Sequence, residues 1–193
     1  MLNDLDTNIR ACTLCSNRFD HKPRPIFAFS KLSRIALIGQ APGRKVHESG
    51  IPWNDASGKR LRTWLGVSDE AFYDNKNFAI ITMAFCYPGK GKSGDLPPPK
   101  ICFDTWHDKV TQQLKNIKLI VLIGAYAREA YLPKHKGKLD ELSKNLNLPS
   151  PYFVIPHPSP RNGIWLKKHP WFERSVVPEL QKRVNLALME VDT

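Results

Sequence analysis

The stretch IKLIVLIGAYAREAYL, residues 117–132, decides the fold. Its first half, IKLIVLIG (117–124), is a near-continuous apolar run. A strand with one wet face would alternate apolar and polar residues, so an unbroken run suits a strand covered on both faces, as in a parallel sheet. From Ala125 the pattern turns helical in AYAREAYL. Three other runs share the strand character: RIALIG (34–39), FAIITMA (78–84) and YFVIP (152–156). Helical patterns lie between and after them: SGKRLRTWLG from Ser57, CFDTWHDKVTQQLKN from Cys102, and VVPELQKRVNLALMEV (176–191), in which Leu180, Val184 and Leu188 form one stripe. Strands alternating with helices predict a three-layer α/β/α sandwich around a four-stranded, mostly parallel central sheet, with residues 1–193 as a single domain. Right-handed crossovers then line up the loops that follow the strands along one edge. Ligands of open α/β sheets bind at that edge.

The loops due there are GQAPGRKVHESGIPWND, FCYPGKGKSGDLPPPK, GAYARE and HPSPRN. In the first, Gly39 and Gly43 flank Pro42 directly after a strand, a tight turn whose backbone N–H groups can face a ligand. Neither G-x-x-x-x-G-K-[ST] nor G-x-G-x-x-G occurs, so the common phosphate-cradling motifs are excluded. Trp53 follows a proline in a loop rather than a periodic face, which leaves it either a core residue or a flat platform for a ligand. Glu48, Asp55 and His47 are the other polar candidates of this loop. In the last loop His157 stands among Pro156, Pro158 and Pro160. An imidazole held so firmly is placed as a transition-state hydrogen bond requires.

Composition narrows the partner. The 193 residues are 41% hydrophobic and 24% charged, an ordinary balance for a soluble globular chain. No run approaches the length of a membrane span. The start, MLNDLDTNIRACTLC, has no basic flank followed by an apolar stretch, so a cytoplasmic location is expected. Twenty-nine Lys and Arg against eighteen Asp and Glu give +11. That excess suits a polyanion, or else a basic solvated surface. RNGIWLKKHPWFER (161–174) interleaves cations with Trp165, Trp171 and Phe172, a pattern that grips phosphate and stacks on bases. The Gly/Pro/Lys loop from Tyr87 to Lys100 adds Lys90 and Lys92 beside a Pro97–Pro99 brace.

Four cysteines complete the inventory: Cys12-x2-Cys15, then seventy residues, then Cys86-x15-Cys102. In a cytoplasmic protein disulfides are disfavoured. Four thiolates suit zinc or an iron–sulfur cluster, and spacing alone does not choose between them; four buried free thiols are the third reading. A metal centre would tie the amino-terminal segment and both ends of the 87–100 loop to the sheet edge.

Taken together, GQAPG, SGIPWNDASGKRL, the four-cysteine spacing and HPSP resemble the uracil-DNA glycosylase superfamily, from Cys12 to about Arg161. The nearest likeness is to its family 4, whose members carry a [4Fe–4S] cluster. The resemblance implies a monofunctional glycosylase that flips a deaminated base, with uracil foremost, out of DNA and hydrolyses its N-glycosidic bond, beginning base excision repair. It implies that the Gly39–Gly43 turn lines the base pocket, with backbone donors near Gln40 and Ala41, and that Trp53 stacks on the base. His157 would hydrogen-bond the base oxygen on which charge develops. Ser159, Arg161 and Asn162, with Lys90 and Lys92, would contact DNA. Cys12, Cys15, Cys86 and Cys102 would hold the cluster, with zinc as the alternative. A monomer working on nucleoid DNA, away from membranes, is expected.

Three positions depart from the pattern. Gln40 stands where family 4 has Glu, as in family 1. Ala41 stands where family 1 has its water-activating aspartate. Thr82 stands where an asparagine reads uracil, and a one-residue shift would place Met83 there. An amide offers a donor and an acceptor side by side, whereas a hydroxyl has one hydrogen to give. Hypoxanthine and xanthine therefore stand beside uracil as candidate bases, and a metal-stapled domain that binds nucleic acid without cutting it is the competing class.

Overall fold

The computed structural model describes residues 2–189. The last two residues of the expected carboxy-terminal helix, Glu190 and Val191, lie outside the described residues. In chain order the elements are α1 (Leu2–Arg10), β1 (Ile35–Gly39), α2 (Arg44–Ser49), α3 (Ala56–Leu65), α4 (Asp69–Tyr73), β2 (Phe78–Thr82), β3 (Lys90–Gly91) and β4 (Gly94–Asp95). There follow α5 (Lys100–Thr111), β5 (Leu119–Ile123), α6 (Ala125–Tyr131), α7 (Leu139–Lys144), β6 (Tyr152–Ile155), α8 (Gly163–Lys168) and α9 (Val177–Met189). A short 3-10 turn (Pro160–Asn162) precedes α8, and a π turn (Phe172–Val176) leads into α9.

All four apolar runs are strands of one sheet, ordered β2-β1-β5-β6, and every pairing in it is parallel. Side chains alternate across it. Ile35, Leu37, Phe78, Ile80, Val121 and Ile155 face one layer, with Leu61, Trp64 and Leu65 of α3 and Leu180 and Val184 of α9. Ala36, Ile38, Ala79, Ile81, Leu122 and Val154 face the other, with Ile9 of α1, Val110 of α5, Ala127 of α6 and Leu142 of α7. Both faces are dry, which is why the strands read as unbroken apolar runs; burying each such side chain contributes about 1.5–3 kcal/mol. The expected three-layer sandwich is the observed one, and Leu188 of the predicted stripe packs partly buried against the first layer.

Some details differ from the sequence reading. The helical pattern read from Cys102 through Asn116 is a helix from Lys100 to Thr111 only. The run FAIITMA stops being strand at Thr82, although Met83 and Ala84 still donate their N–H groups to the carbonyls of Gly39 and Gln40 at 2.9 and 3.1 Å. The 87–100 segment is not featureless: β3 and β4 form an antiparallel hairpin, with Lys90 opposite Asp95 and Gly91 opposite Gly94. Among the described residues, no helix is long and apolar enough to cross a membrane.

The chain crosses from β1 outward to β2, then returns past β1 to β5 and on to β6. The order reverses between β1 and β5, so the loops after β1 and after the right-hand strands splay apart there. A crevice results at the carboxyl ends of the strands.

Candidate active site

That crevice holds a cavity of about 400 Å3, within the range of small-ligand sites. Three strand ends build it. The turn after β1 contributes Gln40, Ala41, Pro42 and Gly43; the end of β2 contributes Thr82; the segment after β6 contributes His157, Ser159, Arg161 and Asn162. Trp53 and Asp55, from the loop before α3, and Asp95, from β4, complete the polar and aromatic wall.

Trp53 has a left-handed backbone, φ 55°. Its carbonyl lies where a Cβ on Gly58 would stand, so only glycine at 58 lets the first turn of α3 approach it. Arg62, itself buried, donates to the same carbonyl at 3.2 Å and pairs with Asp69 at 2.6 Å. Asp55 caps α3, accepting the Gly58 N–H at 2.8 Å. The indole is mostly buried in the core and also forms part of the cavity wall. Gly39 lies beneath the ring without lining the cavity: a Cβ there would meet Trp53 Cζ2 at 2.9 Å and Thr82 Cγ2 at 3.1 Å.

His157 packs against Trp53 in the cavity wall, the ring centroids 5.6 Å apart and the planes inclined by 35°. Asn162 Nδ2 donates to the His157 carbonyl at 2.7 Å, and Arg60 donates to the Ser159 carbonyl at 2.9 Å, so the proline-punctuated segment is tied down at both ends. Burial pushes the His157 imidazole below its usual range, and the charges of Asp55 and Asp95 pull it partly back. At neutral pH the ring is therefore neutral, with one N–H to give.

Thr82 lines the cavity, whereas Met83 is buried in the opposite layer, so the alignment that places Thr82 at the asparagine position is the one with access to a ligand. The Thr82 hydroxyl donates to the Ala84 carbonyl at 2.7 Å, so its one hydrogen is committed and its oxygen is left as an acceptor. Its own carbonyl accepts from His107 Nε2 at 2.9 Å. Glu48 pairs with Arg44 at 2.8 Å and lies outside the cavity wall. His47 also stands apart, packed edge-on against His21 with centroids 4.7 Å apart. Lys90 and Lys92 are exposed on the hairpin and do not line the cavity. Sequence reasoning missed Asp95; its one signal was being the sole acidic residue between Tyr87 and Lys100.

All four cysteines line a second, small apolar cavity. Cys12 follows α1, Cys15 lies in the next turn, Cys86 follows β2, and Cys102 is in the first turn of α5. Cys102 Sγ accepts the Phe85 N–H at 3.3 Å. Burial and the neighbouring thiols push the Cys86 and Cys102 thiols up to about 12. Among the described residues, no group of three or more His, Cys, Asp or Glu side chains is gathered closely enough to hold a single metal ion.

A parallel α/β sheet whose strand ends hold a glycine turn, a flat ring and a neutral imidazole around one cavity belongs to the class of α/β proteins whose cavity lies at the switch point of the sheet. The chain matches the family model of the Uracil DNA glycosylase superfamily over residues 27–181, and it belongs to that superfamily. It is by family a DNA glycosylase, with DNA as its substrate. The matched stretch runs from before β1 into α9 and begins after Cys12 and Cys15.

Proposed function

We propose that this protein removes a deaminated base from DNA by hydrolysing the N-glycosidic bond, without a covalent enzyme intermediate. The carrying observation is that His157, the Gln40–Gly43 turn and Trp53 line one cavity, with the Trp53 and His157 rings in contact. The extruded base enters the cavity and rests against Trp53, extrusion costing a few kcal/mol and least at a mispair. As the sugar–base bond lengthens, charge collects on the base. The neutral His157 N–H and the backbone N–H groups of the turn face that charge, each worth about 3 kcal/mol on the oxyanion-hole scale. Ser159, Arg161 and Asn162 line the same cavity, and in this reading they contact the flanking DNA strand. Membership of the superfamily puts uracil first among the candidate bases; Thr82 supplies an acceptor rather than the paired donor and acceptor of an amide, so hypoxanthine and xanthine stand beside it.

The likeness to the iron–sulfur type extends to the thiols. Four of them on one apolar cavity form an all-sulfur donor set that fits a [4Fe–4S] cluster held by Cys12, Cys15, Cys86 and Cys102. A single zinc, which needs its sulfurs at about 2.3 Å from one centre, is the alternative occupant. Such a group would be structural, joining the segment after α1 to β2 and α5. Visible absorbance of anaerobically purified protein, with iron and zinc analysis, tests this: broad absorbance and about four iron atoms per chain are expected, and stoichiometric zinc or no metal overturns it.

Single-turnover base release from oligonucleotides carrying uracil, hypoxanthine or xanthine tests the function itself. Release of at least one base, with the DNA left as an abasic strand, is expected. Release of none leaves the non-catalytic binding module as the reading.

A further inference from the structure

Resting on that glycosylase reading, we infer that Asp95 is the carboxylate that orients and deprotonates the attacking water. Ala41 offers no carboxylate in the turn after β1, and three acidic residues stand near enough to be considered. Glu48 is engaged with Arg44 and lies outside the cavity. Asp55 is in the wall, but its Oδ1 is committed to the Gly58 N–H as the cap of α3. Asp95 is in the wall with no structural duty of that kind: its Oδ1 takes one long hydrogen bond from the Tyr87 hydroxyl at 3.5 Å. Its Oδ2 stands 3.7 Å from where a Cβ on Gly43 would be, directly over the turn that faces the departing base.

The hairpin fixes this placement. The Leu96 N–H donates to the Gly89 carbonyl at 2.9 Å and closes the base of the loop. At its far end Gly94 is covered by Arg161, whose Nη1 lies 2.9 Å from where a Cβ would stand, so the hairpin meets the segment that carries His157. Asp95 and His157 both form wall of the same cavity. The side chain is exposed, within reach of water.

Electrostatics gives the argument its sign. In a chain of net charge +11 whose partner is a polyanion, a carboxylate at the mouth opposes binding. It is favourable only in a state that carries positive charge, and the sugar acquires such charge as the glycosidic bond breaks. The step balances as follows. A water proton passes to Asp95 Oδ2 while the water oxygen forms the new bond to C1′. The electron pair of the C1′–N bond leaves with the base. The base then takes a proton from solvent and Asp95 returns its own to solvent, so that one water has been added across the bond.

Asp95→Asn keeps the shape and removes the charge and the proton acceptor. On whichever oligonucleotide the wild type cleaves, single-turnover release should slow by about 10²-fold or more. Affinity for undamaged duplex of the same sequence should hold or tighten by roughly two- to fivefold. Asp95→Glu, with the carboxylate on a longer arm, should recover part of the rate. Release by the Asn variant within about threefold of wild type (about 0.65 kcal/mol) overturns the assignment, as does a rate loss matched by an equal loss of DNA affinity. A wild type that releases no base overturns the glycosylase reading and this inference with it; a wild type that cleaves beside an equally active Asn variant overturns only the role of Asp95.

Discussion

At the scale of single residues, the most constrained side chain is Trp53. A left-handed backbone costs an L-residue about 1–2 kcal/mol, and strain of this kind is kept where the surroundings over-determine it. Here the missing side chain of Gly58, the guanidinium of Arg62 and the bare surface of Gly39 jointly hold the ring against the cavity. The sequence showed that Trp53 sits in a loop after a proline, but not its backbone sign, because that sign depends on the approach of α3 rather than on its neighbours in the chain. Gly39 was legible as part of a ligand turn; its real contact is the underside of the indole. Gly39→Ala should push the ring into the cavity, since neither β1 nor β2 can retreat from a Cβ 2.9 Å from Cζ2. Base release should fall at least tenfold (about 1.4 kcal/mol), with stability down by about 1–3 kcal/mol. Single-turnover rates and urea midpoints check both; an unchanged rate would mean that the ring's position does not govern base binding.

At the scale of elements, the strands were legible because both faces are buried, while the β3–β4 hairpin was not. Two-residue strands have no period to detect, and Gly-Lys-Gly-Lys-Ser-Gly reads as a flexible loop unless its partner in space is known. The role of α5 was equally hidden: it buries His107 beneath the end of β2. There Nε2 donates to the Thr82 carbonyl, which leaves Nδ1 to accept from the Tyr131 hydroxyl at 2.7 Å, so the neutral tautomer is fixed. Burial pushes this imidazole from 6.5 down to about 4. An unfolded chain binds that proton near its ordinary pKa and the folded one does not, so stability falls as pH drops from 6.5 toward 4. The full effect is about 3 kcal/mol. Urea midpoints measured across that range should fall steeply for the wild type and more gently for His107→Gln, in which His157, shifted the same way by burial, still contributes. Parallel curves for the two proteins would show that His107 does not carry the acid sensitivity.

At the scale of the whole molecule, the basic excess was legible as a number and its use was not, because charge counts do not say which face is basic. The hairpin sharpens the point, since all three of Lys90, Lys92 and Asp95 are exposed on it but Asp95 alone of them forms cavity wall. Two charges of one sign would serve DNA binding, and one of the other sign would serve chemistry, on a single short element. The two duties separate experimentally. Each lysine that neutralises a phosphate on duplex DNA contributes about 0.9 to the slope of log affinity against log salt. Replacing Lys90 and Lys92 together by Ala should make that slope shallower by up to about 1.8 and weaken binding alike for damaged and undamaged duplex. With enzyme in excess over bound DNA, single-turnover release should stay near wild type, because neither lysine reaches the cavity. The opposite pair of effects is expected of Asp95→Asn, where the rate falls and affinity does not. A lysine pair that left the salt slope unchanged would mean that the outer face of the hairpin points away from the DNA, and the strand would then have to pass the cavity on the side of α8, whose Lys167 and Lys168 become the residues to replace.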